Sequence, residues 1–446
     1  MMYARRILCL LSPLLLAAVV GITFAADAET PLAAQIEGLV RQLNAQAAAD
    51  RDEAEETLIA LGTSDNGSTG PQAVLDLLPK SNDRMPPEVR HRLTRVRQAL
   101  EEADAKAAVS ATNVTLVADE MPLPEVFAAI EKQTGNRILD QRNQFGQEAP
   151  QTPLTIELED QAFWPAFDAI LDRAQLTTYT FSGEDALIVR PRTPGGTDRV
   201  GRAHYAGPFR IEATEVHATR NLRAEGGDSL RVTVEIAWEP RLVPIRISQP
   251  LDTLTAVDAD SNPLATSPMA QGELEVPVNV GNQSAELQLL FTLPPRSVEK
   301  IARLSGTLNT VVPGRTETFR FEDLVAADGS QQRRGGATVT LDRLRKNGPI
   351  WELYMRVTFD DASGALESHR GWVLQNPSYL VDADGTRIEH VGFETTHQTE
   401  QEIGLAYLFE LPEALDDLKV LAWEYQTPAA IIPLPVEYEL TNIRLP

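Results

Sequence analysis

Two short acidic segments carry the most regular spacing of chemically useful residues in this chain. Alternating carboxylates within a turn supply hard oxygen ligands of the kind that calcium prefers. An Asp-Gly step is also the commonest signal for a hairpin turn, and neither segment has the distal glutamate of an EF-hand. The segments are therefore either turns or calcium sites, and the candidate ligands are Asp258, Asp260, Asp382 and Asp384.

Residues for covalent or metal-assisted catalysis do not occur in a recognisable arrangement. The sequence has no Gly-x-Ser-x-Gly nucleophile elbow and no His-Glu-x-x-His zinc helix. Ser368 and His369 are adjacent, so in a strand their side chains point to opposite faces and cannot act together as nucleophile and base. With 64 acidic residues, a general acid–base pair of carboxylates remains open. These patterns favour a non-enzymatic protein without a resident cofactor over a polysaccharide hydrolase.

The composition is that of a globular protein with a strong acidic excess. The 446 residues carry 40 basic and 64 acidic side chains, a net charge of −24. Nucleic acids and anionic membranes need clustered Lys and Arg, so we expect neither as a partner. A chain of this length exceeds one ordinary domain and predicts several.

The N-terminus has the composition of a secretory signal. Arg5 and Arg6 precede an apolar run at 7–20, and small residues follow, so residues 1–28 are predicted to be a signal peptide. The arginine pair raises a twin-arginine signal as an alternative. Cys9 is the only cysteine and lies inside this segment. The mature protein is thus predicted to be exported, free of disulfides, not membrane-spanning, and located in the periplasm or at the cell surface.

Residues 29–110 show helical spacing of apolar residues. Leu32, Ile36, Leu39 and Leu43 recur on one helix face, and three further short helices follow. Four short antiparallel helices look like helical hairpins of the HEAT type, and a plain four-helix cap explains the pattern equally well.

Residues 111–192 change to a mixed pattern. The predicted order is strand–helix–strand–strand–helix–strand–strand, a compact α+β module. In its first half, Val114-Thr115-Leu116 is followed by Met121-Pro122-Leu123 and by Ile130-Glu131-Lys132-Gln133-Thr134-Gly135. In its second half, the pattern continues with Leu154-Thr155-Ile156-Glu157-Leu158-Glu159-Asp160, Ala166-Phe167 and Ile170-Leu171.

This order of apolar residues and helix stops resembles the short N-terminal module of secretins and TonB-dependent receptors. The resemblance implies a module that binds neighbouring proteins of the bacterial envelope and does no chemistry. It implies no transport, because the rest of the chain lacks the repeated amphipathic strands and aromatic girdles of a membrane barrel. The expected contact modes are an exposed strand edge or the helix that carries Val126 and Ile130.

A linker is predicted at 193–202, where Pro194-Gly195-Gly196 breaks the pattern, and the remainder is β throughout. Phe291-Thr292-Leu293-Pro294 matches Phe409-Glu410-Leu411-Pro412, and Val257-Asp258-Ala259-Asp260 matches Val381-Asp382-Ala383-Asp384. We interpret these echoes as two copies of a β-sandwich domain, at 203–326 and 335–446.

The fold class predicted from the sequence is multidomain α+β: N-terminal helical hairpins, a small βαββαββ module and two C-terminal β-sandwiches. The leading functional hypothesis is an exported envelope protein that binds an envelope or surface protein. The alternative is a carbohydrate- or calcium-dependent adhesion protein that uses the tandem sandwiches. An exposed tryptophan on a sandwich could stack on a sugar, as the alternative requires, but tryptophan in such domains usually lies in the core. The tryptophans of the predicted β domains are Trp238, Trp351, Trp372 and Trp423.

Overall fold

The computed structural model describes most of the chain after the predicted signal segment. The described residues are 32–63, 70–79, 84–143, 153–180, 183–223, 228–268, 270–279, 281–324, 326–367, 370–411 and 418–446. The predicted signal peptide with Cys9, and the Ser368-His369 pair, lie outside these ranges. The chain divides into two compact units, residues 1–97 and 98–446. Strands make up 45% of the described residues, which also form six α-helices, and this confirms a mixed, mainly β fold.

The described residues of the helical region form four helices. They are α1 (Leu32–Gln42), α2 (Ala48–Thr63), α3 (Pro71–Leu77) and α4 (Pro87–Ala108). Ile36, Leu58, Val74 and Leu93 are buried, as expected for apolar residues at helical spacing. Helix α3 begins at Pro71, where the missing N–H of proline costs no hydrogen bond. Among the described residues, no helix combines the length and the apolar composition that a membrane crossing requires.

Seven elements between residues 113 and 191 form what we call the α+β module. They are β1 (Asn113–Met121), α5 (Leu123–Thr134), β2 (Ile138–Asp140), β3 (Leu154–Ala162), α6 (Phe163–Arg173), β4 (Leu176–Tyr179) and β5 (Leu187–Pro191). Strands β1 and β3 pair as an antiparallel sheet, and a second sheet has the order β2-β5-β4. Helix α5 ends because Gly135 adopts φ +71° and its N–H bonds the Glu131 carbonyl at 2.8 Å.

The first sheet pair follows the module. Its strands are β6 (Ala203–Ala206), β7 (Phe209–Thr219), β8 (Ser229–Trp238), β9 (Arg246–Pro250), β10 (Thr255–Val257), β11 (Glu273–Val276), β12 (Ser284–Thr292) and β13 (Lys300–Pro313). One sheet has the order β12-β8-β7-β6 and the other contains β10-β13-β9-β11. Alternate residues of β8, from Leu230 to Trp238, join residues of the second sheet in one hydrophobic core.

The second sheet pair encloses a separate core. Its strands are β14 (Thr316–Phe321), β15 (Ser330–Arg334), β16 (Ala337–Asn347), β17 (Ile350–Phe359), β18 (Ser378–Val381), β19 (Arg387–Glu389), β20 (Gly392–Gln398), β21 (Glu402–Glu410) and β22 (Ala422–Pro428). Its two sheets have the orders β15-β16-β17-β21-β20 and β14-β22-β18-β19. Trp423 and Tyr425 are fully buried in this core.

The pairing of the strands β14 and β23 does not follow their order along the chain. The C-terminal strand β23 (Ile431–Arg444) pairs with β13 of the first sheet pair, from Lys300↔Arg444 to Pro313↔Ile431. Strand β14 lies within the predicted first copy at 203–326, but it pairs with β22 of the second sheet pair. The strand pairing therefore crosses the sequence boundary drawn between 203–326 and 335–446.

The two sheet pairs share the same register in two strand pairs, β8–β12 and β17–β21. Ser284 of β12 lies opposite Ala237 of β8, and Glu402 of β21 lies opposite Thr358 of β17 at the corresponding positions. Strand β7 has a register shift between residues 213 and 215, and β16 has one between residues 341 and 343. Because the paired residues and the register shifts occupy the same positions, the strands β7, β8 and β12 correspond to β16, β17 and β21.

Candidate functional site

A buried carboxylate joins the α+β module to the first sheet pair. Asp168 of α6 is 0% exposed. Its Oδ1 accepts a hydrogen bond from Arg199 Nε at 2.6 Å, and its Oδ2 accepts from Arg210 Nε and from the Tyr205 hydroxyl, both at 2.7 Å. Arg210 also pairs with Glu212 at 2.7 Å. One helix residue thus contacts three residues that follow the module in sequence.

The charges at this junction stabilise one another. Burial alone would raise the pKa of Asp168, but the guanidinium groups of Arg199 and Arg210 outweigh it and hold that pKa below its ordinary value. Burial and the neighbouring Asp168 carboxylate raise the pKa of the Tyr205 hydroxyl. The carboxylate is therefore ionised, and the tyrosine remains a hydrogen-bond donor, throughout the neutral range. The sequence signal for this site is Asp168 itself, a charged residue inside the apolar run of α6 that belongs to no recognised motif.

A second polar contact lies at the other end of the junction. Glu239 is 0% exposed and accepts hydrogen bonds from the Thr112 hydroxyl at 2.8 Å, from Asn136 Nδ2 at 3.0 Å and from Arg241 Nε at 2.8 Å. Trp164 of α6 donates its indole N–H to the Pro208 carbonyl at 2.9 Å. The module is consequently held on the first sheet pair at several points.

The segment between the module and β6, predicted at 193–202 to be a linker, is held in place as well. The Asp172 carboxylate accepts the backbone N–H groups of Arg199 and Val200 at 2.8–2.9 Å. Arg192 binds both Asp172 and Asp198. A Pro-Gly-Gly sequence alone suggests free motion, but these ion pairs tie the segment to α6.

The two helix residues predicted as a contact surface are in the interior. Val126 and Ile130 are both 0% exposed and belong to the hydrophobic core of the module. The reason is their spacing of four residues, which places them on the same apolar face of α5 that packs against β1. Their side chains are not available to a partner, so the exposed strand edge is the one of the two expected contact modes that remains. An exposed sheet face offers a partner a third kind of surface.

The outward face of the β1–β3 sheet is such a surface. Val117 is 70% exposed and lies directly opposite Glu157. Asp119 and Glu159 are also exposed and lie on the same two strands. In the part of the chain that the structure describes, β1 and β3 pair only with each other. We call the outward side chains of these strands (Thr115, Val117, Asp119, Thr155, Glu157 and Glu159) the acidic face.

The predicted calcium ligands form two turns of the same construction. Oδ1 of Asp258 accepts the N–H groups of Asp260 and Asn262 at 2.9 and 2.8 Å. Oδ1 of Asp382 accepts those of Asp384 and Thr386 at 2.9 and 2.8 Å. Asp260 and Asp384 are exposed. The first carboxylate of each segment is thus committed to its own turn, as expected of an Asx turn.

Metal ligation by these segments has no support from the neighbouring side chains. Asp258 and Asp260 border a cavity of about 580 Å³ beside Pro294 and Pro295. Within the described ranges, no group of three or more His, Cys, Asp or Glu residues could hold a metal ion. What the structure shows directly is the turn itself, in which Asp258 and Asp382 each accept two backbone N–H groups of their own segment.

The tryptophans of the β region also favour a structural role. Trp238 and Trp423 are fully buried in the two cores. Trp372 donates its N–H to the Ala365 carbonyl at 2.7 Å and packs on Phe359. Trp351 is half-buried beneath the Lys346 ammonium group, 5.1 Å from the ring centroid.

A polar cluster on the second sheet pair was not expected from the sequence. His397 Nε2 lies 2.8 Å from Glu402 Oε1, and the Thr358 hydroxyl donates to Glu402 Oε2 at 2.7 Å. Partial burial would raise the pKa of Glu402, but the Thr358 and His397 hydrogen bonds lower it below its ordinary value. A register shift between residues 395 and 397 brings both Thr396 and His397 over Gly404. Glu402 also pairs with the Arg356 guanidinium at 3.5 Å.

Gly404→Ala is expected to destabilise the second sheet pair by about 1–3 kcal/mol, because overpacking forces neighbouring side chains out of place. A Cβ at this position would stand less than 3.0 Å from both His397 Nδ1 and Thr396 Oγ1. Urea denaturation measures the loss, and His397→Ala in the same chain should recover part of it. Gly392→Ala is the matched control, since its nearest neighbour would lie at an ordinary 3.9 Å. Equal losses for the two glycines would contradict the explanation.

Comparison of the chain with protein-family models, with curated proteins and with solved structures yields no match.

Proposed function

We propose that this chain is a non-enzymatic exported protein of the bacterial envelope that acts by binding another protein through its α+β module. The observation that carries the proposal is the acidic face, with an exposed valine at its centre and carboxylates around it. The module resembles the binding module of secretins and TonB-dependent receptors, and the predicted signal peptide supports the location.

The internal contacts of the module limit the surface that a partner can use. Its α6 side is committed to the first sheet pair through Asp168 and Trp164. The apolar face of α5 is committed to the module core. The acidic face is an exposed sheet surface of the module that these contacts leave accessible, and its two strands pack on α5 and α6.

The chemistry of this face defines the partner. Val117 offers apolar area at the centre, while Asp119, Glu157 and Glu159 attract cations. A protein segment with an apolar residue flanked by Lys or Arg complements both features. Because the carboxylates are exposed, binding should weaken as salt screens the charges over a Debye length of about 8 Å at physiological ionic strength.

A photo-crosslinking residue at Val117 is expected to capture a distinct protein in cells, because this side chain is 70% exposed at the centre of the acidic face. Mass spectrometry of the adducts identifies the partner. The matched control is the same residue at Leu222, which is 91% exposed but lies far along the chain in the loop after β7. Glu157→Lys should remove the Val117 adduct and leave protein levels unchanged. Identical adducts from positions 117 and 222 would overturn the proposal.

For the domain layout, we propose a helical region, the α+β module and two duplicated β-sandwiches whose last strands have been exchanged. Three observations support duplication: the matched registers of β8–β12 and β17–β21, the matched shifts in β7 and β16, and the matched Asp turns. Similar segments in tandem can exchange a terminal strand because either copy offers the same pairing edge.

A further inference from the structure

A cleft of about 410 Å³ lies between the α+β module and the first sheet pair. One wall is strand β4 with the adjoining Thr180, and Arg190 of β5 lies beside it. The opposite walls are the connecting segment at 196–199 and two outward side chains of the first sheet pair, Glu212 and Glu235. The cleft is separate from the acidic face, which belongs to β1 and β3.

Strand β4 presents its unpaired edge to this cleft. It is the last strand in the order β2-β5-β4, so only one of its edges is paired. The Arg192 N–H bonds the Gln175 carbonyl, and Thr177 and Tyr179 lie opposite Arg190 and Ile188. In an antiparallel pair, the residues that exchange hydrogen bonds alternate with residues whose backbone groups point outward. The outward residues of this strand are therefore Leu176, Thr178 and Thr180.

Two of these three outward positions are already used. The Leu176 carbonyl accepts from the Arg192 side chain at 3.2–3.3 Å. The Thr180 carbonyl accepts the Gln283 N–H at 2.8 Å. Among the residues that the structure describes, none bonds the outward N–H or carbonyl of Thr178, which are a matched donor and acceptor within the strand. An extended peptide satisfies such a pair with the carbonyl and N–H of a single residue.

The charges of the cleft also leave one group unmatched. Asp198 pairs with Arg192 at 2.8 Å, and Glu212 pairs with Arg210 at 2.7 Å. Glu235 accepts the Thr180 hydroxyl at 3.1 Å, and Arg199 is bound by Asp168. The Arg190 guanidinium instead stacks on the Tyr179 ring, 4.3 Å from its centroid. Among the described residues that line the cleft, Arg190 is thus the cation without a carboxylate.

The walls of the cleft are held in position before any ligand binds. Asp172 ties residues 199 and 200 of the connecting segment to α6. Gly196 packs so closely that a Cβ would stand within 3.0 Å of the Arg192 side chain and of the Thr193 carbonyl. A cleft with fixed walls loses little conformational freedom on binding, which favours affinity.

We propose that this cleft binds an extended peptide segment that carries a carboxylate. One peptide residue pairs with the N–H and carbonyl of Thr178. Neighbouring residues of an extended chain point to the opposite face, so their side chains meet the sheet face that carries Tyr179 of β4 and Arg190 of β5. A Glu or Asp next to the pairing residue then binds Arg190, and Thr177 and Thr197 offer further hydroxyl groups at the rim.

The test uses the full mature chain and three fluorescein-labelled heptapeptides of alternating threonine and valine, with a central glutamate, glutamine or lysine. Fluorescence anisotropy is expected to give a Kd for the glutamate peptide about threefold to tenfold lower than for the glutamine peptide, as a partly exposed ion pair provides. Arg190→Glu should reverse the order, so that the lysine peptide binds best. Failure of wild type to bind any of the peptides, or an unchanged order in Arg190→Glu, overturns the proposal.

A second variant tests the backbone pairing. Thr178→Pro removes the outward N–H but no hydrogen bond to β5, and proline is tolerated at such edge positions. It should abolish binding of all three peptides with little change in the thermal melting of the protein. Glu157→Lys on the acidic face is the matched control and should bind the glutamate peptide like wild type. Loss of cleft binding in that control would refute a separate site, whereas the in-cell result at Val117 tests the proposed function independently. If Thr178→Pro does not fold, the reversal of charge preference in Arg190→Glu decides the proposal alone.

Discussion

Asp168→Ala is expected to cost about 3–5 kcal/mol of the free energy of unfolding of residues 98–446, because it removes the buried carboxylate that two cations share and leaves Arg210 with Glu212 alone. The carboxylate lies between Arg199 and Arg210 and also accepts the Tyr205 hydroxyl. Arg210 is 2% exposed and already has one nitrogen, Nη2, without a hydrogen-bond partner. Urea denaturation followed by tryptophan fluorescence measures the loss, since Trp164 reports the junction directly.

Glu159→Ala is the control for this experiment. Glu159 is an exposed acid of the same module, and such surface changes stay within about 0.5 kcal/mol. If Asp168→Ala costs no more than Glu159→Ala, the junction does not depend on the buried ion pairs. In that case the module would be a loosely attached domain, and the walls of the cleft would not be fixed.

The same carboxylate predicts a pH dependence with a definite sign. Its pKa is lower in the folded protein than its ordinary value of 3.8. A depressed pKa adds stability that is fully present above that ordinary value and is lost as the pH falls through the folded pKa. The difference in stability between wild type and Asp168→Asn should therefore be constant at neutral pH and shrink below about pH 4.

Ending the chain after Ala430 is expected to unfold the first sheet pair, although that sheet pair begins more than 200 residues upstream. Strand β23 pairs with β13 along its length and places Val436, Tyr438, Leu440 and Ile443 in the first core. Loss of these side chains removes several buried apolar groups worth about 1.5–3 kcal/mol each. Hydrogen exchange of the truncated chain should show lost protection at 246–250 and 300–313.

Point variants distinguish the pairing of β23 with β13 from a pairing of β23 with strands of the second sheet pair. Leu440→Ala should cost about 2–5 kcal/mol and loosen the first core, whereas Leu405→Ala should cost a similar amount and loosen the second. Both leucines are buried, at 3% and 0% exposure, in different cores. If Leu440→Ala reduced the hydrogen-exchange protection of β16 and β17 and left that of β9 and β13 unchanged, the pairing of β23 with β13 would be contradicted.

The elements of the α+β module can be derived from the sequence because each depends on neighbours a few residues away. Val114, Leu116 and Ala118 alternate because every second side chain of a strand faces the core. Phe163, Phe167 and Ile170 recur at helical spacing because one face of α6 is buried. What the same patterns do not reveal is which surface stays free. The sequence predicts Val126 and Ile130 as a contact surface, but both side chains are buried in the core of the module.

The chemistry of the junction depended on residues that are distant in the sequence. Asp168 has partners 31 and 42 residues further along the chain. No periodicity links them, because their encounter follows from how α6 packs on β7. The nearest sequence signal was a charged residue within an apolar helix, which identifies a buried charge but not its counter-ion.

The sequence alone determined the mixed, mainly β character of the chain, the order of elements in the module and the similarity of two segments near its end. Only the tertiary structure decided which last strand completes which sheet. Strands β14 and β23 both alternate in the same way, so either pairing buries apolar side chains on one face and satisfies the backbone hydrogen bonds. The choice between them depends on the packing of whole sheets, because local patterns specify the face of a strand and not its partner.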